Sequence, residues 1–153
     1  MSTPEPAETE LIAEIRRFNR FYTKLLGLLQ ARYLGSPVGF GEARVLFELG
    51  QRPGRRAAEA GQVLGLDRGY LSRLVTALVK KGLVRKSPDP SDSRARLLRL
   101  TEKGEAVVDR LDSHSDRMVA SLLTGLSPAQ RTELVESMSR ISELLRKNKG
   151  EQA

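Results

Sequence analysis

A mainly α-helical chain carrying one small β-hairpin is what this sequence predicts, on three observations. Apolar residues recur at alternating steps of three and four along long segments at both ends, which is the helical period. Shorter segments of the same period lie between glycine and proline stops. Leu83 to Ser87 and Arg96 to Leu100 read as short strands around a Pro/Asp/Ser turn cluster, so RKSPDPSDSRARLLRLT folds back on itself.

In chain order, residues 1–7 are expected to be a disordered polar tail. Leu11, Ile15, Phe18, Tyr22, Leu25 and Leu29 then mark one amphipathic helix over residues 8–35, ending near Gly35. GEARVLFELG is a short helix stopped by Gly50 and Pro53. RRAAEAGQVLG is a second, closed at Gly65. DRGYLSRLVTALVKKG is a third, with Asp67 as N-cap, Leu71, Leu74, Val75 and Leu78 as its buried stripe, and Gly82 as its stop. After the hairpin, Thr101 caps a long helix with Val108, Leu111, Met118, Val119 and Leu122 on one side. Ser127-Pro128-Ala129-Gln130 is a capping box with proline at the first helical position, opening a last helix through Leu134, Met138, Ile141 and Leu145. Residues 36–101 thus form a central domain and 102–147 a helical pair, with 148–153 as a tail. The long terminal helices have apolar stripes that the short elements cannot all cover, which points to a two-fold dimer.

Composition narrows the function. The chain has 153 residues, 39% hydrophobic and 5% aromatic, enough for a core, and no apolar run near the ~18 residues a bilayer span needs. MSTPEPAETE lacks the basic and apolar regions of a signal peptide, so a cytoplasmic protein is expected, with no membrane partner. Cysteine is absent, which excludes disulfides, thiolate nucleophiles and Cys-ligated zinc. Between Arg52 and Arg99 stand twelve Lys or Arg against four acids, a net +8, leaving −1 for the rest of a +7 chain. A near-neutral body with one basic middle points to nucleic acid or another anionic surface.

Two short helices joined by a tight Gly-containing turn are a helix-turn-helix, whose second helix enters the major groove. Opposite its apolar stripe that helix presents Arg68, Gly69, Tyr70, Ser72, Arg73 and Thr76. Arginine meets guanine O6 and N7 with two parallel hydrogen bonds, so Arg73 and Arg68 are the expected base readers. Ser72, Tyr70 and Thr76 could donate to phosphates or bases, and Gly69 lets the backbone approach. A hairpin after such a helix is a wing, and Arg85, Arg94 and Arg96 on it suit a negative minor groove. Arg55 and Arg56 are expected on the DNA backbone. Asp92, two residues before Arg94, is expected to hold that guanidinium in place; Asp89, between Pro88 and Pro90, to shape the turn.

GEARVLFEL, LGLDRGYLSRLVTALVKKGLVRK and DPSDSRARLLRLTEKGE resemble the MarR family of bacterial transcriptional regulators, including its wing motif Asp-x-Arg at Asp92 and Arg94. The resemblance implies a winged helix-turn-helix homodimer with long N- and C-terminal dimerisation helices. It implies a regulator, often a repressor, that binds double-stranded DNA at an inverted-repeat, pseudo-palindromic operator. Release by a small aromatic or anionic ligand between the two lobes is implied too. Two departures stand out. Ala60 and Gly61 replace a Leu-Ala pair usual in relatives, which suggests looser packing, and the lack of cysteine excludes the peroxide-sensing branch. The family's ligand residues vary too much to carry over; Phe18, Tyr22, Tyr33 and Phe40 could line such a pocket or could be core.

An enzyme reading has no constellation to rest on. His114 is alone, Asp112 and Asp116 flank it on different helix faces, and no Gly-rich phosphate loop is present. No catalytic residue, metal or cofactor is therefore expected. The open alternatives are an architectural protein that coats DNA and a protein-interaction module that keeps the winged shape.

Overall fold

The computed structural model describes residues 6–150, and the side chains of residues 7–147. Of the expected tails, residues 1–5 and 151–153 lie outside the described residues. Helix α1 spans Pro6–Leu25, so it takes in two residues assigned to the first tail. It also stops well before Gly35. Gly27 adopts φ +64°, a left-handed turn that glycine enters without a Cβ penalty, and its N–H bonds back to Lys24 O at 3.1 Å. The chain then passes through a 3-10 turn at Tyr33–Gly35, with Leu34 at φ 52°, locked by Tyr33 N–H to Val38 O at 2.9 Å. The apolar period runs on to Leu29, but Leu29 is 85% exposed, so it marks no buried stripe.

Helix α2 (Phe40–Gln51) is followed by strand β1 (Arg55–Arg56), helix α3 (Ala57–Leu64) and helix α4 (Arg68–Lys80). Strands β2 (Val84–Asp89) and β3 (Asp92–Leu100) make the wing, longer than the sequence suggests. β1 was not expected. It completes an antiparallel sheet in the order β1-β3-β2, with Arg55 opposite Leu98 and Arg85 opposite Arg99. A two-residue strand has no periodicity to read.

Residues up to His114 form one compact unit. Its core joins Val45, Leu46 and Leu49 of α2, Leu71, Val75 and Leu78 of α4, Leu83, Val84 and Leu98 of the sheet, and Val107 and Leu111 of helix α5 (Glu102–Leu123). Each such side chain contributes roughly 1.5–3 kcal/mol when fully buried. α3 is not loosely packed. A Cβ on Gly61 would stand 3.0 Å from Leu71 Cδ2, so the missing side chain is what lets α3 and α4 close on each other. At the foot of the wing, Thr101 hydroxyl donates to Gly82 O at 2.6 Å and accepts from Gly104 N at 3.1 Å, setting the start of α5 against the end of α4. Lys81 donates to both Glu42 carboxylate oxygens, at 2.7 and 2.8 Å, tying the end of α4 to the start of α2.

The second unit begins at Ser115. In it α5 ends, Gly125 turns the chain at φ +86°, and helix α6 (Pro128–Gly150) starts from the expected capping box. Ser127 N–H donates to Gln130 Oε1 at 2.9 Å, and Gln130 N–H to Ser127 Oγ at 3.3 Å. The residues assigned to the C-terminal tail up to Gly150 are therefore helical.

Candidate nucleic-acid interface

α4 is held at its start by two local devices. Gly65, at φ 63°, closes α3 and turns the chain, and Asp67 Oδ1 accepts from Tyr70 N at 2.9 Å. Leu71, Val75 and Leu78 face the core, which leaves Arg68, Gly69, Ser72, Arg73 and Thr76 exposed. At about 100° per residue, Gly69, Arg73 and Thr76 stand outermost, Arg68 and Ser72 on one flank, and Tyr70 on the other.

Arg68 and Ser72 border an open groove of about 760 Å³ between α3, α4 and the wing. Arg56, Lys86, Arg94 and Arg96 reach the same groove, so five cations there face a single carboxylate, Asp92. Lys86 was not singled out from sequence. It pairs across the hairpin with Leu98, on the same strand face as Arg96 and Arg94, so period-two alternation would have found it once the register was known.

Other residues move out of the set. The Arg55 side chain is only 7% exposed and pairs with Glu48, so burial closes it to a phosphate. Arg85 does not share the groove. With its register partner Arg99 it borders a smaller cavity of about 350 Å³ beside α2 and α5, because adjacent strand residues point to opposite faces. Asp92 accepts from the backbone N of Arg94 at 3.0 Å, not from its guanidinium, so it shapes the strand rather than aiming the arginine.

The ion pair at the wing tip belongs to Asp89. Its carboxylate accepts from Ser91 N at 2.8 Å, Ser91 Oγ at 2.7 Å and Arg56 Nε at 2.6 Å. The Ser91 hydroxyl and backbone, with Arg56 behind them, hold the Asp89 carboxyl below the usual carboxylate range, against the opposing effect of burial. Arg56 thereby pins the tip to the start of α3, and its Nη2 also donates to Ser91 Oγ at 3.0 Å.

The four aromatics do not gather. Phe18 and Tyr22 stack on α1 with centroids 5.5 Å apart, while Tyr33 and Phe40 meet edge to face at 5.1 Å, Tyr33 buried in the core and Phe40 packed against it. Burial pushes the Tyr33 hydroxyl pKa up. His114 is half-buried with Nδ1 2.8 Å from Leu34 O. Among the described residues no group of His, Asp and Glu could hold a metal ion, and no helix is long and apolar enough to cross a membrane.

Residues 36–95 match the model of the MarR family. The PcaV transcriptional regulator of Streptomyces coelicolor, solved with its natural ligand, shares 27% identity at a TM-score of 0.67, covering 94% of this chain and 98% of its own. A cysteine-to-serine variant of MarR from E. coli, solved with operator DNA, shares 25% identity at a TM-score of 0.72, covering 86% of this chain and 95% of its own. BpsR of Bordetella bronchiseptica, at 23% identity, has the same fold, with a TM-score of 0.67 over 86% of this chain and 98% of its own. The basic groove and the wing beside it thus stand in a winged-helix fold shared with these transcriptional regulators, and residues 36–95 are similar to the MarR family.

Proposed function

We propose that this protein is a DNA-binding transcriptional regulator of the MarR type, a repressor that binds an inverted-repeat operator as a homodimer in the bacterial cytoplasm, one α4 per half-site. The observation that carries the reading is the α4 face. Its inner side is fixed in the core while Arg73, Gly69 and Thr76 stand outermost, beside a groove of five cations. Arg73 reads a base edge, Arg68, Ser72 and Thr76 support it, and Lys86, Arg94 and Arg96 neutralise phosphates or enter the minor groove, while Arg56 holds the wing tip through Asp89.

The domain assignment follows the same logic. Residues 36–101 bind DNA, while 8–35 and 102–147 dimerise. Within α1, Leu11, Ile15, Phe18 and Phe21 are 65, 61, 46 and 59% exposed, an apolar face that a monomer would leave in water. Within α6, Val135, Met138, Ile141, Leu144 and Leu145 are exposed as well. Release by a small aromatic or anionic ligand belongs to the same reading, and the relative PcaV, solved in complex with its natural ligand, supports a ligand-bound state.

Selection of bound duplexes from random DNA tests the reading. The expected result is a two-fold symmetric consensus with half-sites about 10 base pairs apart, bound roughly 10³-fold over random duplex. Equal binding of every duplex, with a steep salt slope, would establish a coating protein instead.

A further inference from the structure

Tyr70 is turned away from the outermost face of α4. The free space that receives it lies at the start of α2. A Cβ built on Gly41 would stand 2.7 Å from the Tyr70 hydroxyl and 3.4 Å from Leu74 Cδ2, so the tyrosine tip occupies the room that glycine leaves. Tyr70 is 38% exposed, and the guanidinium carbon of Arg73, one turn further along α4, lies 5.7 Å from the centre of its ring. That distance is within reach of a cation–π contact. Among the described residues the Arg73 guanidinium makes no hydrogen bond or ion pair, and the Tyr70 ring is the group it lies over.

We infer that Tyr70 is a positioning residue for base recognition: its ring, seated in the slot at Gly41, holds the Arg73 guanidinium in the orientation that reads the base. A free arginine loses rotamer freedom on docking, and a ring that already confines it reduces that loss only for the geometry it favours. The effect therefore belongs to discrimination at one base pair and not to general affinity for DNA. It also makes the start of α2, which touches no base in this reading, a determinant of specificity. Gly41 is the sensitive point, because a methyl group there must displace the tyrosine tip, the mobile partner in the contact, while the helical backbone of α2 can accept alanine.

The inference rests on the assignment of Arg73 as a base reader, and the experiment separates the two. The consensus duplex and its single-base-pair variants are titrated with the full-length protein and with Arg73→Ala, Tyr70→Leu, Tyr70→Phe, Gly41→Ala and the double variant Tyr70→Leu/Arg73→Ala, each checked for melting temperature. Arg73→Ala is expected to abolish preference at one base pair, about 5- to 150-fold per bidentate contact. Tyr70→Leu should lower preference at that same pair by about two- to five-fold, the range of an exposed cation–π contact, with the salt slope unchanged. Tyr70→Phe should restore it, and Gly41→Ala should reproduce the loss without lowering the melting temperature. In the Arg73→Ala background Tyr70→Leu should do nothing more. Full preference retained by Tyr70→Leu and Gly41→Ala overturns the positioning role alone. So does additivity in the double variant, which would make Tyr70 an independent contact. If Arg73→Ala itself keeps every preference, the base-reading assignment falls and the positioning role with it.

Discussion

Asp89 is nearly closed to solvent yet stays ionised, because Ser91 meets it with hydroxyl and backbone N–H and Arg56 with its guanidinium. A turn aspartate was legible between two prolines; its arginine was not, since Arg56 lies 33 residues away. The linkage has a definite sign. A carboxylate whose pKa is lowered by folding stabilises the fold above its unfolded pKa, and that contribution disappears as pH falls through the folded value. Asp89→Asn should lower the melting temperature at neutral pH, and the gap to the parent protein should close below about pH 4, where carboxylates protonate. A gap that stays the same on acidification, followed by circular dichroism, would show that Asp89 contributes through its shape and not its charge. The same pair gives the wing tip its seat. Without it, Arg56 would be one more free cation in the groove.

At the scale of elements, the caps were the most legible features, because each is a contact between residues three apart. Asp67, Thr101 and Ser127 all receive the N–H groups their spacing predicts. Asp67→Ala should cost about 1 kcal/mol of stability in denaturant unfolding, as loss of an N-cap does. Gly104 carries a tighter demand. A Cβ there would lie 2.1 Å from the carbonyl oxygen of Leu83, which also accepts the Thr101 N–H at 3.0 Å, so backbone meets backbone and neither side chain can yield. Gly104→Ala should therefore destabilise by about 2–3 kcal/mol or more, although alanine favours helices elsewhere, and a melting temperature equal to the parent's would refute the close approach. Wing arginines were harder to place. Arg85 and Arg94 look alike in sequence, but which strand face each takes depends on a register that slips at Pro88/Asp89.

The whole molecule carries its charge unevenly, with five cations in one groove and an uncharged apolar face on α1. Exposed Ile15 and Phe18 are positions where a charge should cost little in a monomer and much in a dimer. Ile15→Glu with Phe18→Glu is expected to shift sedimentation from dimer to monomer at micromolar concentration and to weaken operator binding, since one half-site alone must then hold the complex. An unchanged sedimentation coefficient would place the dimer contact elsewhere.

The sequence by itself determined the order of the helices though not the ends of the first and last, where the caps at Asp67, Thr101 and Ser127 fall, that a hairpin follows the second helix of the helix-turn-helix, and that the positive charge is central. Those features follow from periodicity, local hydrogen bonding and composition, all read within a few residues. Only the tertiary structure decided which arginines are free. It buried Arg55 against Glu48, tied Arg56 to Asp89, turned Arg85 away from the groove and brought Lys86 into it. The physical reason is that an ion pair, a strand face and a groove are set by residues tens of positions apart in the chain, and nothing in the local pattern of a charged side chain says what it will meet.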